Sequence, residues 1–467
     1  MATDNNNDPS GHSSRGKAAL IILGAVVLLF VLSLLPWHNI TGGRMTDFNL
    51  LGDIMPSSQS ADSILTQNED EDIDPELMHQ LKENGEVPQT VESDTVLPQM
   101  EPLRVGEMVV IEDYTRGKRG MQALREAIVQ GRLARIAFLG DSYIEGDILC
   151  QDFRSMMQQR YGGSGVGYLN LHSEFPGFRR SVRQGGDGWK EYSVRSGAKP
   201  QYVSLTENYF SPEGNAKATY KGVNKIEKAD SWQHSQLLCV APSGGEVKMR
   251  LSDTARWEVM TLSPSPDVQR LELKGTTSQF QVSSSTSSLI ALGVWLDSDS
   301  GVSVDCMSSR GYSGLTLAKV DSALCAQASQ YIDYQLIILE FGINAMSAKQ
   351  KNYTVYANGM VKVINHLREC YPKADILLMG IGDRGEKSGT EVHSMPSAQN
   401  MIDAQRDVAR KARCMFWDTR EAMGGEDAIV RYVSSGWANK DYVHLTHKGG
   451  RTLAEQLFNA FTAKLDQ

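Results

Sequence analysis

The chain has no Cys-x-x-Cys pair, no P-loop, no Gly-x-Ser-x-Gly elbow and no long basic stretch. Each gap removes a class. Without paired cysteines, a structural zinc site or a thioredoxin-like redox centre is not expected. Without a P-loop there is no nucleotide-phosphate cradle, and without a basic face nucleic acid is not an expected partner. The six cysteines (150, 239, 306, 325, 370 and 414) are irregularly spaced. They are compatible with disulfides or with small buried hydrophobes. Acidic charge is present, but in one place. The net charge is −9, yet residues 42–104 hold 14 acidic and 3 basic side chains, so the remainder is close to neutral.

With 467 residues the chain exceeds one ordinary domain. Residues 1–17 form a short tail ending in Arg15 and Lys17. The uncharged run Ala18–Leu35, closed by Pro36-Trp37, would span roughly 27 Å as a helix, close to a bilayer core. The flanking charges predict a transmembrane anchor over 18–36, with the N-terminus cytoplasmic and everything after it on the far side of the inner membrane. A cleaved signal peptide would leave the same segments outside, but no Ala-x-Ala site follows the run. Residues 37–104 read as an acidic, flexible tether. Its run Glu69-Asp70-Glu71-Asp72-Ile73-Asp74-Pro75 lacks the glycine and terminal glutamate of a calcium loop.

From about 105 the pattern is that of a folded α/β protein. Strand-like runs at 135–140, 336–341, 375–379 and 415–417 alternate with helical patterns at about 146–160, 315–329, 351–370, 397–413 and 447–464. Short apolar strands between amphipathic helices predict a doubly wound parallel sheet, with chemistry beyond the carboxyl ends of its strands. Residues 166–300 break the rhythm. Pieces such as 202–205, 236–240, 246–251, 257–260, 269–273 and 280–282 alternate with turn residues, predicting a β-sandwich inserted between α/β parts 105–165 and 301–467.

Four short blocks carry the chemistry: Gly140-Asp141-Ser142, Gly311-Tyr312-Ser313-Gly314, Gly342-Ile343-Asn344 and Asp441-Tyr442-Val443-His444. Ser142 follows a strand and precedes a helix, where it can cap the helix or present a nucleophile. An Asp three residues before a His can hold the imidazole while it takes a hydroxyl proton. Extending that block to His447 would give metal-ligand spacing, but His447 falls where the last helix begins and no further acid is near. No metal is expected.

In identity and order these blocks resemble the SGNH (GDSL-type) hydrolase superfamily, over about 105–165 and 301–467. The resemblance implies a flavodoxin-like SGNH fold, Ser142 as nucleophile, and a triad completed by Asp441 and His444. It also implies an oxyanion hole from the N–H groups of Ser142 and Gly314 and the Asn344 amide, with no cofactor. The third block departs from the usual Gly-x-Asn-Asp, having Ala345 in the last place. Ser142 and Gly314 are 172 positions apart, and the extra length is the inserted module. A β-module there, on an exported domain, is similar to bacterial peptidoglycan O-acetylesterases. The implied activity is removal of O-acetyl groups from an acetylated cell-envelope glycan. An O-acetyltransferase using the same serine, or an inactive glycan-binding scaffold, are the alternatives.

Among the module's aromatics, Tyr202, Tyr209, Phe210, Trp232 and Trp257 are candidates for stacking on sugars or for the core, with Trp232 and Trp257 first as binders. The run Gly380-Ile381-Gly382-Asp383-Arg384-Gly385 matches a dinucleotide fingerprint, but no helix-like stretch follows it. It is read as a loop at the rim of the site, with Asp383 and Arg384 as substrate contacts. Glycan identity and oligomeric state are open at this level.

Overall fold

The computed structural model describes residues 108–389 and 391–466. Among these, no helix is long and apolar enough to cross a membrane. The expected anchor at 18–36 and the tether at 37–104 lie outside the described residues. The described chain opens with β1 (Glu112–Asp113), α1 (Gln122–Val129), β2 (Leu133–Gly140) and α2 (Cys150–Tyr161). A run of strands follows: β3 (Gly167–Leu169), β4 (Val182–Ser193), β5 (Asn208–Gly222), β6 (Trp232–Ala241), β7 (Gly245–Arg250), β8 (Glu258–Leu262), β9 (Ser265–Thr277), β10 (Gln279–Ser284) and β11 (Ile290–Asp297). Alternation resumes with β12 (Gly301–Ser308), α3 (Ser322–Ala328), β13 (Leu336–Glu340), α4 (Thr354–Cys370) and β14 (Asp375–Met379). The chain ends with the hairpin β15 (Gly385–Ser388) and β16 (Glu391–Ser394), then α5 (Ala398–Ala412), β17 (Met415–Trp417), α6 (Thr419–Met423), α7 (Ala428–Ser434) and α8 (His447–Leu465).

The apolar runs are strands buried on both faces. In β13, Leu336 and Ile338 pack with α1, α2 and α8, while Ile337 and Leu339 pack with α3, α4 and α5. β2 divides the same way, with Ile136 and Phe138 on one side and Ala137 and Leu139 on the other. Two-residue periodicity thus gives each strand two apolar faces, which is why the runs show no polar alternation. The sheet order is β1-β17-β14-β13-β2-β12. All neighbours are parallel except β1 with β17. Counting the parallel strands along the chain, the order is 2-1-3-4-5, the flavodoxin-like arrangement. Its switch point lies between β2 and β13, where ligands bind in such sheets.

The inserted module differs from the expected sandwich. Its strands form one hydrogen-bonded sheet, β8-β7-β10-β5-β11-β6-β9, with β3 joined to β11 and β4 to β5. Leu262 of β8 and Leu273 of β9, from the two ends of that path, share a core with Trp232, Phe210 and Phe280. The sheet therefore folds over on itself. β5 makes the corner: Phe210 pairs with β11, Ala216–Lys221 pair with β10, and Glu213-Gly214-Asn215 between them are exposed. One strand serving both layers joins what would otherwise be two sheets. The expected strand at 202–205 is absent; Pro200–Tyr202 is a single 3-10 turn, as a proline at its first position favours.

The module is fixed to the α/β domain by its outer face. Leu238 and Val240 of β6, Val268 of β9 and Leu292 and Trp295 of β11 pack in the same cluster as α3. Trp295 Nε1 and the Tyr334 hydroxyl both donate to Asp305 Oδ2, at 2.9 and 2.7 Å. All six cysteines are buried free thiols.

Candidate active site

Four segments converge at the switch point. β2 ends at Gly140, where a side chain would meet Glu340 O at 2.9 Å. That absence lets the ends of β2 and β13 close up. Asp141, fully buried, accepts the Tyr143 N–H (2.9 Å) through Oδ1 and the Asn344 amide (3.0 Å) through Oδ2. This fixes the turn that carries Ser142. Asn344 lies in the short 3-10 turn after β13. Its amide also donates to Tyr312 O at 3.0 Å, tying the second block to the third. Ala345 is buried in the apolar cluster beneath, an environment in which an aspartate would be unpaired.

The Asp441–His444 pair lies in the loop before α8. Asp441 Oδ1 accepts the N–H groups of Val443 (2.9 Å) and His444 (3.0 Å), which fold the loop so that Oδ2 meets His444 Nδ1 at 2.9 Å. His444 Nε2 is 2.9 Å from Ser142 Oγ. With the Nδ1 proton directed at Asp441, Nε2 is left to accept the serine hydroxyl. Burial pushes the Asp441 carboxyl up, but the hydrogen bonds from His444 and Val443 outweigh it and hold it below the ordinary carboxylate range. The side chains of His444 and Asp441 are 30% and 29% exposed, so a ligand can reach them.

Gly314 has φ 86°, and a Cβ there would meet the Phe341 ring at 2.7 Å. Both the backbone and the space require glycine. Among the described residues, neither the Ser142 nor the Gly314 N–H has an acceptor. Asn344 is placed differently from a free donor, because its amide hydrogens are directed at Asp141 and Tyr312.

The expected substrate contacts fare unequally. Asp383 is fully buried and its carboxylate receives Arg420 Nε (3.0 Å), the Ser394 hydroxyl (2.8 Å) and the Ile429 N–H (3.0 Å). It ties the 380–385 loop to α6 and α7 and cannot touch a substrate. Arg384 donates to Ile343 O at 3.1 Å, beside the third block. The glycine run leads into the β15–β16 hairpin, so no phosphate-binding helix follows it. Trp232 is fully buried, with Nε1 donating to Ser235 Oγ at 2.8 Å; it is core, as are Tyr209 and Phe210. Tyr202 is partly buried against the same cluster as Tyr209. Trp257 lies beneath the Arg250 guanidinium at 4.5 Å. His447 Nδ1 meets the Gln151 amide at 3.2 Å.

Several residues at the site were not anticipated. Glu145 follows Ser142 by one turn and pairs with Arg310 at 3.0 Å. Burial raises its carboxyl against the pull of Arg310 and His444. Asp147 is a buried node, taking two 2.8 Å bonds from Arg154, a contact from Arg179 at 3.3 Å and the Ser181 hydroxyl at 2.5 Å. Its oxygens lie close to the Cys150 and Cys306 thiols, but they are spent on these partners. Arg179 also donates to Tyr168 O and Val166 O, which anchors the loop after β3 beside the serine.

Residues 284–451 match the GDSL-like Lipase/Acylhydrolase family, a stretch that holds Gly314, Asn344, Asp441 and His444 but starts after Ser142. Among solved structures, a peptidoglycan O-acetylesterase is similar with a TM-score of 0.64 and 20% identity, over 76% of this chain and 99% of its own. A family two carbohydrate esterase from Cellvibrio japonicus matches at a TM-score of 0.27 and 10% identity, over 61% of this chain and 98% of its own. No curated protein is significantly similar in sequence. The chain has the SGNH hydrolase fold, and it resembles the SGNH/GDSL-type hydrolases.

Proposed function

We propose that the protein is a serine esterase that removes O-acetyl groups from a cell-envelope glycan such as peptidoglycan. The observation that carries this reading is the unbroken chain from Ser142 Oγ to His444 Nε2 and from Nδ1 to Asp441, each link 2.9 Å. It ends at a strand terminus next to two unengaged N–H groups. Ser142 Oγ attacks the acetyl carbonyl while His444 takes its proton, and Asp441 stabilises the imidazolium. The oxyanion is held by the N–H groups of Ser142 and Gly314, joined by the Asn344 amide when it turns from Tyr312 O. His444 returns its proton to the departing sugar oxygen. Water, deprotonated by His444, then cleaves the acyl-serine to acetate and free serine.

The glycan half of the reading is supported by the fold shared with a peptidoglycan O-acetylesterase. We read the run 18–36 as a single-pass anchor with the N-terminus cytoplasmic, and the acidic tether as the arm that lets the periplasmic domain reach an immobile polymer. The test is Ser142→Ala in the purified protein. Acetate release from a small acetyl ester should fall by several orders of magnitude, with the melting temperature retained. A folded variant turning over near the wild-type rate would remove the serine mechanism.

A further inference from the structure

A cleft of about 500 Å³ lies beside the nucleophile turn, lined by Glu145, by Ser308 to Arg310 and by loops of the β-module. Its volume is that of a small-ligand site, and most of its wall has no part in the acyl chemistry. Ser142 and His444 are not in that wall. The cleft adjoins them through Glu145, whose N–H donates to Ser142 O, and through Tyr312, whose carbonyl accepts from Asn344.

Glu207 lines the cleft from the module side. It is 2% exposed and sits at φ 57°, a conformation that side chains rarely adopt. Among the described residues neither of its carboxylate oxygens has a hydrogen-bond partner. Buried carboxyls without partners are rare and call for a function. Burial pushes its carboxyl up, and the Thr316 and Ser309 hydroxyls, which lie near it but outside hydrogen-bond geometry, pull it back only in part. A neutral carboxylic acid offers one O–H donor beside one acceptor oxygen, the pattern complementary to a secondary amide.

Phe175 and Phe178, also in the lining, are 61% and 51% exposed. The Phe178 N–H donates to Phe175 O at 3.0 Å, closing a Pro-Gly turn. The Phe178 ring lies against Gly146, where a Cβ would meet it at 2.4 Å. Two exposed rings on a braced turn suit the apolar face of a sugar better than solvent.

We propose that Glu207 is a specificity-determining residue that hydrogen-bonds the acetamido group of an amino sugar stacked on Phe178, while the O-acetyl group of the same chain is presented to Ser142. This rests on the glycan-esterase reading. The module then acts through the 170–180 loop and Glu207, not through the tryptophans of its sheet.

The test compares the full chain with Glu207→Leu and Glu207→Gln on three substrates. These are a small acetyl ester, an O-acetylated oligosaccharide of N-acetylated amino sugars, and an O-acetylated oligosaccharide without amide groups. Wild type should prefer the amide-bearing oligosaccharide. Glu207→Leu should lower that preference by roughly 10–100-fold, through KM. Glu207→Gln, which keeps a donor beside an acceptor, should retain it within about threefold. A retained preference in Glu207→Leu, or its loss in Glu207→Gln, overturns the proposal. Should Glu207→Leu fail to fold, Phe178→Ala decides: it must raise KM for both oligosaccharides, and an unchanged KM overturns the subsite. If wild type releases acetate from the small ester and from neither oligosaccharide, the glycan reading fails. If it cleaves both oligosaccharides alike, only the role of Glu207 fails.

Discussion

The α/β domain and the inserted β-module solve opposite problems with the same strand periodicity. In the parallel sheet both faces of every central strand are covered by helices, so Leu336–Leu339 are all buried and only the strand ends are left for polar chemistry. In the module, Ala216, Ala218 and Tyr220 of β5 and Phe280 and Val282 of β10 face its core, while the alternate residues Lys217, Thr219 and Lys221 are partly or fully exposed. Function in the first is therefore confined to a predictable place, the switch point. In the second it can be anywhere the sheet's loops reach, and its aromatics are mostly the core that holds it together.

The sharpest way to break that contrast is the tryptophan pair. Trp232 fills the module's core, so Trp232→Ala should cost about 3–5 kcal/mol of stability. Trp257 is only partly buried and lies under Arg250, and Trp257→Ala should stay within about 1 kcal/mol. Denaturant melts of both variants measure this. A mild Trp232→Ala would mean that the folded-over sheet does not depend on that core.

In the α/β half, the contrast is sharpened at Asn344. Asn344→Ala should lower kcat on a small acetyl ester by roughly 10²–10³-fold with little change in KM, as for one lost oxyanion donor. If kcat is unaffected, the amide serves only to join Asp141 to Tyr312, the contacts it makes in the resting site. Steady-state kinetics on folded protein distinguishes the two.

These two tests fall on residues of unequal legibility. Ser142, Gly314, Asn344, Asp441 and His444 could be picked out because their four blocks resemble, in identity and order, those of the SGNH hydrolases. The parallel strands could be picked out because double burial writes continuous apolar runs. Trp232 could not be assigned, since alternation shows that a strand has two faces without saying which one meets the core. Asp383 was misplaced because a Gly-rich loop reads as exposed, whereas here Arg420 and the start of α7 enclose it. Glu145, Glu207 and Arg310 are brought together only by tertiary folding, across 165 positions, and share no motif. One signal was present and unused. Phe175-Pro176-Gly177-Phe178 puts two aromatics on a turn, where a core is not available to take them.

The smallest expected effect lies where the two regions meet. Asp147 belongs to the loop that carries Ser142, yet it binds Arg154 of α2 and Arg179 and Ser181 of the module's first loop. Burial opposes its charge, but Arg154 and Arg179 prevail and bring its carboxyl down to about 2, from an ordinary 3.8. A carboxyl depressed on folding stabilises the folded state above its unfolded value and loses that contribution as pH falls through the folded one. The window is therefore pH 4 to 2, and the shift corresponds to about 2 kcal/mol. Asp147→Asn alone would leave Arg154 buried without a counter-charge, confounding the measurement. The double variant Asp147→Asn with Arg154→Met removes both charges while leaving Arg179 an acceptor. Its unfolding free energy, measured in urea from pH 5 to 2, should fall less steeply than that of wild type, by about 2 kcal/mol across the window. Parallel curves would show that the node is held together without the charge on Asp147. The junction between the Ser142 loop and the module would then rest on the apolar contacts of β6, β9 and β11 with α3.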